Sequence, residues 1–506
     1  MGGSRQQAAV PAALQADVVI VGAGGAGLAA AIEARAAGAS VWVLEKGEAP
    51  GGSTALSVGS VTSTGTRLQR AAGIDDDPVA HWEDMAGFDG PLLERDNRAL
   101  ARVLCEEIPA TFAWLEAHGV RFAGPFPEPP HRRARMHNVL PNSRAFVHHL
   151  ARAARRSGVR FALRATAVRL LQQDGRVAGV VYEQDSREQV ARAARAVVLA
   201  SGDFTNSPEC KRRFMGADAA RVPGVNALAT GDGQRMAESL GAIVLNGDLA
   251  LGPELRFAPP GGGSWVHRLP PSPLLAAAMA GAMRKLPAAW MRPFIVRFIA
   301  TALAPSLQLF ELGALLVDAG GQAVSASPPQ LAAALAAREP GSGYIVMDHS
   351  AAQRFRAPPH PISTAPGIAY AYLDDYARIR PRIHFEADSV AGLAAACGMS
   401  ATSLEAALGE RAGGSGFVAL GPVRPVFVHS EGGLAVDEAH RVLDRQGRPL
   451  VGLYAAGSVG QGGLLLKGHG HHLAWAFVSG RRAGRNAALA AGGAAGGAGQ
   501  ALAEDG

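Results

Sequence analysis

Two stretches of the chain carry residue types that do chemistry at close spacing. Gly22-Ala23-Gly24-Gly25-Ala26-Gly27 places three glycines in the order G-x-G-x-x-G. In such a turn the first glycine permits a tight bend, the second lets a pyrophosphate approach the backbone, and the third lets helix pack on strand. Near the other end, Leu466-Lys467-Gly468-His469-Gly470-His471-His472 holds three histidines beside one of the chain's rare lysines. Imidazoles at a helix start can touch a cofactor or substrate and move a proton. They do not readily converge on one ion without a carboxylate partner, so no metal site is expected. Tyr344, Tyr370, Tyr372 and Tyr376 could supply a phenol acid or base. Tyr370 and Tyr372 share a side if the run is extended, Tyr372 and Tyr376 if it is helical. His131 and His137 lie in a loop before a helix expected over 143–157.

The first glycine turn needs elements to hold it, and they are legible. Asp17-Val18-Val19-Ile20-Val21 reads as a buried parallel strand, and an alanine-rich helix follows from about Leu28 to Ala37, ending at Gly38. A second apolar strand, Val41 to Leu44, ends in Glu45, completing a βαβ unit with its acid placed for ribose hydroxyls. Two features favour FAD over NAD. Gly51-Gly52-Ser53-Thr54 forms a second glycine-rich turn, and Ala456-Gly457-Ser458 returns from the far end of the chain. From there the chain runs through Gly462-Gly463 into a helix expected from His472 to Ala491. The start of that helix can face the flavin N1–C2=O edge and stabilise negative charge there. No second G-x-G-x-x-G exists for NAD(P).

The chain has 506 residues, 48% hydrophobic and 18% charged, which suits a folded protein of several domains or one large unit with an insertion. Its formal charge of +6 is small for this length and excludes a nucleic-acid footprint. The arginines at 152, 155, 156, 160 and 164 read as a solvated helix face. Cys105, Cys210 and Cys397 form no disulfide, CxxC or haem-attachment pattern. With no apolar leader and no membrane-length run, a cytoplasmic protein with reduced thiols is expected. Proline and glycine clusters near 250–271 mark a boundary. Residues 273–312 read as amphipathic helices of a cap over the site, with peripheral membrane contact as their alternative use.

With these motifs in place, the chain resembles the flavoprotein family of fumarate reductase, succinate dehydrogenase, urocanate reductase and 3-ketosteroid dehydrogenase. The pieces that carry the resemblance are ADVVIVGAGGAGLAAAIEA (16–34), EKGEAPGGSTALSVG (45–59), AVVLASGDF (196–204), TGDGQRMAESLGA (230–242), FEADSVAGLAAACGM (385–399) and GGLAVDEAHRV, GLYAAGSVG and SGRRAG within 432–484. Between 250 and 370 only GALLVDAGGQAV (313–324) matches well. The resemblance implies an α/β fold: a Rossmann-like FAD-binding domain of the GR2 type with an inserted α+β cap. The expected limits are a flexible 1–16, FAD-binding part 17–250, cap 251–416, FAD-binding part 417–491 and a flexible tail 492–506. The candidate cofactor contacts are Gly22, Gly24, Gly25, Ala26 and Gly27; Glu45 and Lys46; Gly51, Gly52, Ser53, Thr54, Ser57 and Gly59. Ala167, Ala200, Ser201, Gly202, Asp232, Gly457, Ser458, His472 and Leu473 complete them. The respiratory branch attaches FAD through a histidine beside the second glycine turn. The stretch GGSTALSVG has none, which implies non-covalent FAD.

The resemblance also places chemistry. His429 falls on the family histidine that binds a substrate carboxylate, three residues before Gly432-Gly433. Counting back from SGRRAG, Lys467 falls on the fumarate-binding arginine, Gly470 on a backbone oxyanion donor of the ketosteroid dehydrogenases, and Leu466 replaces their tyrosine. With His469 and Tyr372 these are the catalytic candidates. The departures matter. No arginine follows 313–324 before Arg338, and lysine is a poor substitute for a fork-shaped carboxylate clamp. The expected activity is therefore FAD-dependent dehydrogenation or ene-reduction of a CH–CH bond beside a ketone or carboxylate, on an apolar, cyclic small molecule. The alternatives are a fumarate- or urocanate-type carboxylate reductase and, from another class, an FAD-binding redox or partner module. Electrons would pass to or from a separate carrier, a quinone or oxygen.

Overall fold

The computed structural model describes residues 13–257, 269–285, 292, 296–297, 300, 303–365 and 369–492. At its centre Leu14–Val21 lies between Val41–Glu45 and Arg187–Leu199, parallel to both. Arg160–Leu163 extends the sheet beside Val41–Glu45, and Pro449–Ala455 joins on the far side of Arg187–Leu199. The three central strands carry apolar runs at 18–21, 41–44 and 196–199, largely buried on both faces. The hairpin Thr166–Gln173 and Arg176–Gln184 packs on the same sheet through Arg187–Leu199. Its turn at Asp174-Gly175 has both residues at positive φ, as the sequence suggested.

The helix Gly25–Ala36 and the last helix, His471–Leu489, cross in close contact. Glycine makes that approach feasible. A Cβ on Gly480 would lie 2.4 Å from the Ala26 carbonyl oxygen, and one on Gly484 2.1 Å from that of Ala30. Distant ends of the chain are thereby locked into one layer, with Trp475, Phe477 and Val478 buried beneath.

A second, antiparallel sheet runs in the order Glu254–Phe257, Phe417–Val426, Gly343–Asp348, Leu315–Asp318, with His384–Ala387 also paired to Phe417–Val426. One face is covered by Phe355, Leu335 and Tyr376, the other by Val390, Leu393 and Leu404. Phe417–Val426 was expected to open the returning FAD-binding segment. It is instead the most connected strand of the cap sheet, buried on both faces: Phe417 and Ala419 join one apolar cluster, and Val418, Leu420 and Val423 join another. Near the start, the strand already begins at Leu14, inside the stretch expected to be flexible; residues 1–12 and 493–506 lie outside the described residues.

The apolar stretch 273–312 contributes the helix Pro273–Lys285 and the short helix Gln308–Glu311, with much of what lies between outside the described residues. Ala276, Met279, Ala280 and Met283 turn inward onto Ala123, Phe126 and Leu140. The cap thus reaches back over the small sheet Ser60–Thr62, Met136–Leu140, Arg121–Phe126. Among the described residues no helix is long and apolar enough to cross a membrane.

Candidate active site

A cleft opens at the C-terminal ends of the parallel strands, where doubly wound sheets bind ligands. Gly22, Gly24, Gly25 and Ala26 line it from the first turn, Gly52, Ser53 and Thr54 from the second, and Gly457 and Ser458 from the third. Glu45, Lys46, Ala167, Ala200, Ser201, Gly202 and Asp232 complete the expected lining. The first two turns brace each other, and the last helix holds the third. Thr54 Oγ1 accepts from the Gly25 N–H at 3.0 Å, the Gly51 N–H donates to the Ala23 carbonyl at 3.1 Å, and the Gly457 N–H donates to Ser479 Oγ at 2.8 Å.

The remaining expected contacts lie outside the cleft wall. Gly27 sits beneath the turn, where a Cβ would come within 1.9 Å of the Gly22 carbonyl oxygen. Gly51 caps the helix Gly52–Leu56, Ser57 bonds the Thr54 carbonyl, and Gly59 packs on Val139. His472 and Leu473 begin the last helix, one turn before Ala476, which does line the cleft. Asn226, Leu228 and Ala165 also line it and were not expected, because their loops carry no glycine pattern. Glu45 is buried, and its two oxygens accept from the Ala23 and Gly47 amides, each at 2.7 Å. It ties the strand end to the turn as well as standing where a ribose would. Lys46 reaches Asp232 at 2.7 Å across the rim.

The cleft fits a dinucleotide. A Cβ on Gly24 would meet nothing closer than the Gly51 carbonyl oxygen at 3.9 Å, so the gap between the two glycine turns is open. The buried Ser201 hydroxyl, in the lining, has no hydrogen-bond partner. An open glycine face and an unengaged hydroxyl suit a phosphate-bearing ligand.

The histidine-rich segment fans out in three directions. His469 turns to Glu128, its Nδ1 at 2.5 Å from Oε1, while its backbone N–H donates to the same oxygen at 2.7 Å. This contact raises the His469 pKa above its ordinary value, against the opposing effect of burial. His471 packs into a buried group with His81 and His131. His472 turns to Glu431, with Nε2 at 3.3 Å from Oε1. His429 approaches the same oxygen at 3.4 Å, and the two imidazole centroids are 3.6 Å apart. Gln461 Nε2 and the Leu466 N–H bond the other Glu431 oxygen. The carboxylate partner that the sequence reading found wanting is thus supplied by distant segments, one for His469 and one for His472.

Of the other candidates, Gly470 has φ +94° and a would-be Cβ 2.6 Å from the Thr62 amide nitrogen, so glycine is required there by packing as well. Lys467 Nζ reaches the Asp89 carbonyl at 3.5 Å. Tyr372 lies in the cap, where it precedes the helix Leu373–Ile379 and its N–H donates to Asp375. Among the described residues it has no recorded contact with His429, Glu431 or His472. Tyr376 is buried in the cap core, its hydroxyl on Ser363 and its pKa pushed up to about 12 by burial. Arg338 is paired with Asp318 at 2.7 Å. His137 bonds Thr66 in the small sheet. Glu431 and Glu128 were missed. Glu431 stands two residues from His429, a spacing that shares a side in extended chain. Glu128, in a proline-rich loop 341 residues from His469, left no signal.

Residues 17–465 match the model of the FAD binding domain family. The chain belongs to this family. It is an FAD-dependent oxidoreductase, with FAD as the cofactor its cleft fits. Relatives fall on both sides of the expected chemistry. A probable fumarate reductase, Ifc3 of Shewanella frigidimarina, is 25% identical over 93% of this chain and 74% of its own. A 3-oxosteroid 1-dehydrogenase of Mycobacterium tuberculosis is 28% identical over 45% of this chain and 54% of its own. The chain thus spans about half the length of the latter. Among solved structures, the open conformation of a flavocytochrome c3 fumarate reductase superposes with a TM-score of 0.69, at 23% identity, covering 94% of this chain and 78% of that one. That likeness concerns the fold.

Proposed function

We propose that the protein oxidises or reduces a carbon–carbon bond next to a carbonyl group in a largely apolar, cyclic ketone. One observation carries this reading. His472 of the His429–Glu431–His472 cluster stands one helical turn, about 6 Å, from the cleft-lining Ala476 on the same helix. A rigid element therefore joins the cofactor cleft to two half-buried imidazoles that share a buried carboxylate. Non-covalent FAD, which Gly24, Gly25, Thr54, Ser201, Gly457 and Ser458 would hold, supplies the hydride donor or acceptor when bound.

The residues of the chain do the rest. The His429–Glu431–His472 cluster anchors the substrate oxygen. His469 gives or takes the proton: Glu128 holds its Nδ1, leaving Nε2 directed away from that partner, and keeps the imidazolium form present above the usual histidine range. The ring is 55% exposed, as a group that meets an incoming molecule must be.

Charge separates a ketone from a dicarboxylate. Glu431, Glu128, Asp89 and Asp96 all face this region, and burial together with Asp96 and Glu431 pushes Asp89 up to about 7. Arg98 is paired with Asp96, and Arg95 with Asp248. Two substrate carboxylates would need two cationic partners, whereas Arg98 is already paired with Asp96 and Lys467 is a single point charge beside Asp89; a neutral ketone needs neither. A fumarate- or urocanate-type reductase is the second reading, supported by the longer match to Ifc3. Electrons would come from or go to a separate carrier, a quinone or oxygen.

Turnover tests the proposal. The FAD-loaded protein is assayed with an artificial electron acceptor against cyclic ketones and 3-ketosteroids, and with a reduced dye against fumarate and urocanate. The expected result is ketone turnover that His429→Ala lowers about 100-fold or more. Turnover of the dicarboxylates alone would replace this reading with the second.

A further inference from the structure

We infer that His429, Glu431 and His472 form a binding site for one divalent transition-metal ion of the zinc type. This deepens the reading of the cluster as the substrate-oxygen anchor and rests on it for the role of the ion, though not for its binding. The first argument is distance. A histidine donating to a carboxylate settles at about 2.7–2.9 Å. Here Glu431 Oε1 stands 3.3 Å from His472 Nε2 and 3.4 Å from His429 Nε2. Those are poor hydrogen bonds, and they equal the edge of a tetrahedron whose metal–ligand bonds are about 2.0–2.1 Å. The three ligand atoms all lie within 4.8 Å of one another.

The second argument is the support around the carboxylate. Glu431 is buried, and its other oxygen is fixed by Gln461 Nε2 and the Leu466 amide. Outer-shell bonds of this kind leave one oxygen free and aimed, as ligating carboxylates require. Finally, the imidazoles of His429 and His472 keep 20% and 19% of their surface. A fourth position is therefore open, as in zinc sites that take a substrate oxygen.

A second imidazole group, His81, His131 and His471, shows what an unsuitable cluster looks like. It is fully enclosed and has no carboxylate ligand. Arg135 Nη1 donates to His131 Nδ1 at 3.0 Å, which leaves Nε2 of the neutral ring protonated and sets a guanidinium beside the site. Such a group repels a cation. Placed beside the cleft, an ion on His429, Glu431 and His472 would polarise a carbonyl oxygen without changing its own oxidation state.

The test uses the full FAD-loaded chain, stripped with a chelator and titrated with zinc or cobalt. Metal content is read after gel filtration, affinity by calorimetry, and retained flavin by its absorbance. The expected result is one ion per chain, with affinity reduced at least 100-fold in Glu431→Gln and in His429→Ala, while flavin content is unchanged. Glu431→Gln is isosteric, so its flavin content reports an intact fold. No retained ion, or one ion per chain with unaltered affinity in both variants, would overturn the proposal. Ketone turnover by metal-free protein at the full rate would also overturn the role given to the ion. Tight metal binding without ketone turnover would instead overturn the proposed substrate and leave the site standing.

Discussion

Gly22 and Gly24 are two residues apart and do different work. Gly22 has φ +103° and no room, since a Cβ would lie 2.4 Å from the Ala200 carbonyl oxygen. Gly24 has an ordinary φ of −78° and an open face. Gly24→Ala is therefore expected to leave the thermal stability of the cofactor-free protein nearly unchanged and to weaken FAD binding about tenfold or more, a loss near 1.4 kcal/mol. Gly22→Ala is expected to lower stability itself. Melting curves and FAD titration of the two variants separate these outcomes; equal FAD affinity in Gly24→Ala and the parent would refute the assignment. His469 gives a second prediction at this scale. Its pKa is raised by Glu128, so the acid form persists above the usual value and is lost as pH rises through the raised one. The reductive rate should fall along that limb. In Glu128→Gln the limb should move to lower pH, which a pH profile of kcat reads directly. The glycine turn was legible because a run of adjacent residues dictates its own backbone. The His469–Glu128 contact was not, because only the fold brings a proline-rich loop to the start of the last helix.

The crossing of Gly25–Ala36 with His471–Leu489 positions both halves of the site. Ser479 on the second helix holds the Gly457 turn, Ala476 lines the cleft and His472 meets Glu431. The SGRRAG run was read as a family mark; its physical meaning is that Gly480 and Gly484 occupy one helix face and let two backbones meet. Gly484→Val is expected to cost about 3 kcal/mol or more, since the obstructing atom is a backbone oxygen that cannot rotate away. A reduced Tm together with weakened FAD retention is the anticipated result, because separating the helices also shifts Gly457. An unchanged Tm would contradict this packing. The cap boundary shows the opposite limit of sequence reading. Phe417–Val426 is an apolar run buried on both faces, as the strands of the first sheet are, and nothing in its residues says which sheet it will join.

At the scale of the whole molecule, buried neutral histidines tie stability to pH. His137 and His440 are both fully buried, and burial lowers their pKa values to about 4 and about 3. An unfolded chain binds protons at these rings near 6.5. Their stabilising contribution is therefore complete above about pH 6.5 and is lost as pH falls toward the folded values. At pH 5 the pair costs about 4 kcal/mol, from about 1.4 kcal/mol per unit for each ring. Tm should decline steadily between pH 6.5 and 5; a flat profile there would contradict the burial of these rings in solution. The broad architecture was legible from strand, glycine turn and acid in sequence, whereas the pairing of His429 and His472 through Glu431 needed the fold to bring a short strand against the start of the last helix.

The central claim is that the glycine-lined cleft holds FAD and that the adjoining histidines present a ketone to it. The most direct measurement is an anaerobic titration of the FAD-loaded protein with cyclic ketones and 3-ketosteroids, following the flavin absorbance. Bleaching by a ketone, lost in His429→Ala and slowed in His469→Ala, is the expected result. A flavin band that persists with every ketone but bleaches with succinate, or a protein that binds no FAD, would contradict the claim.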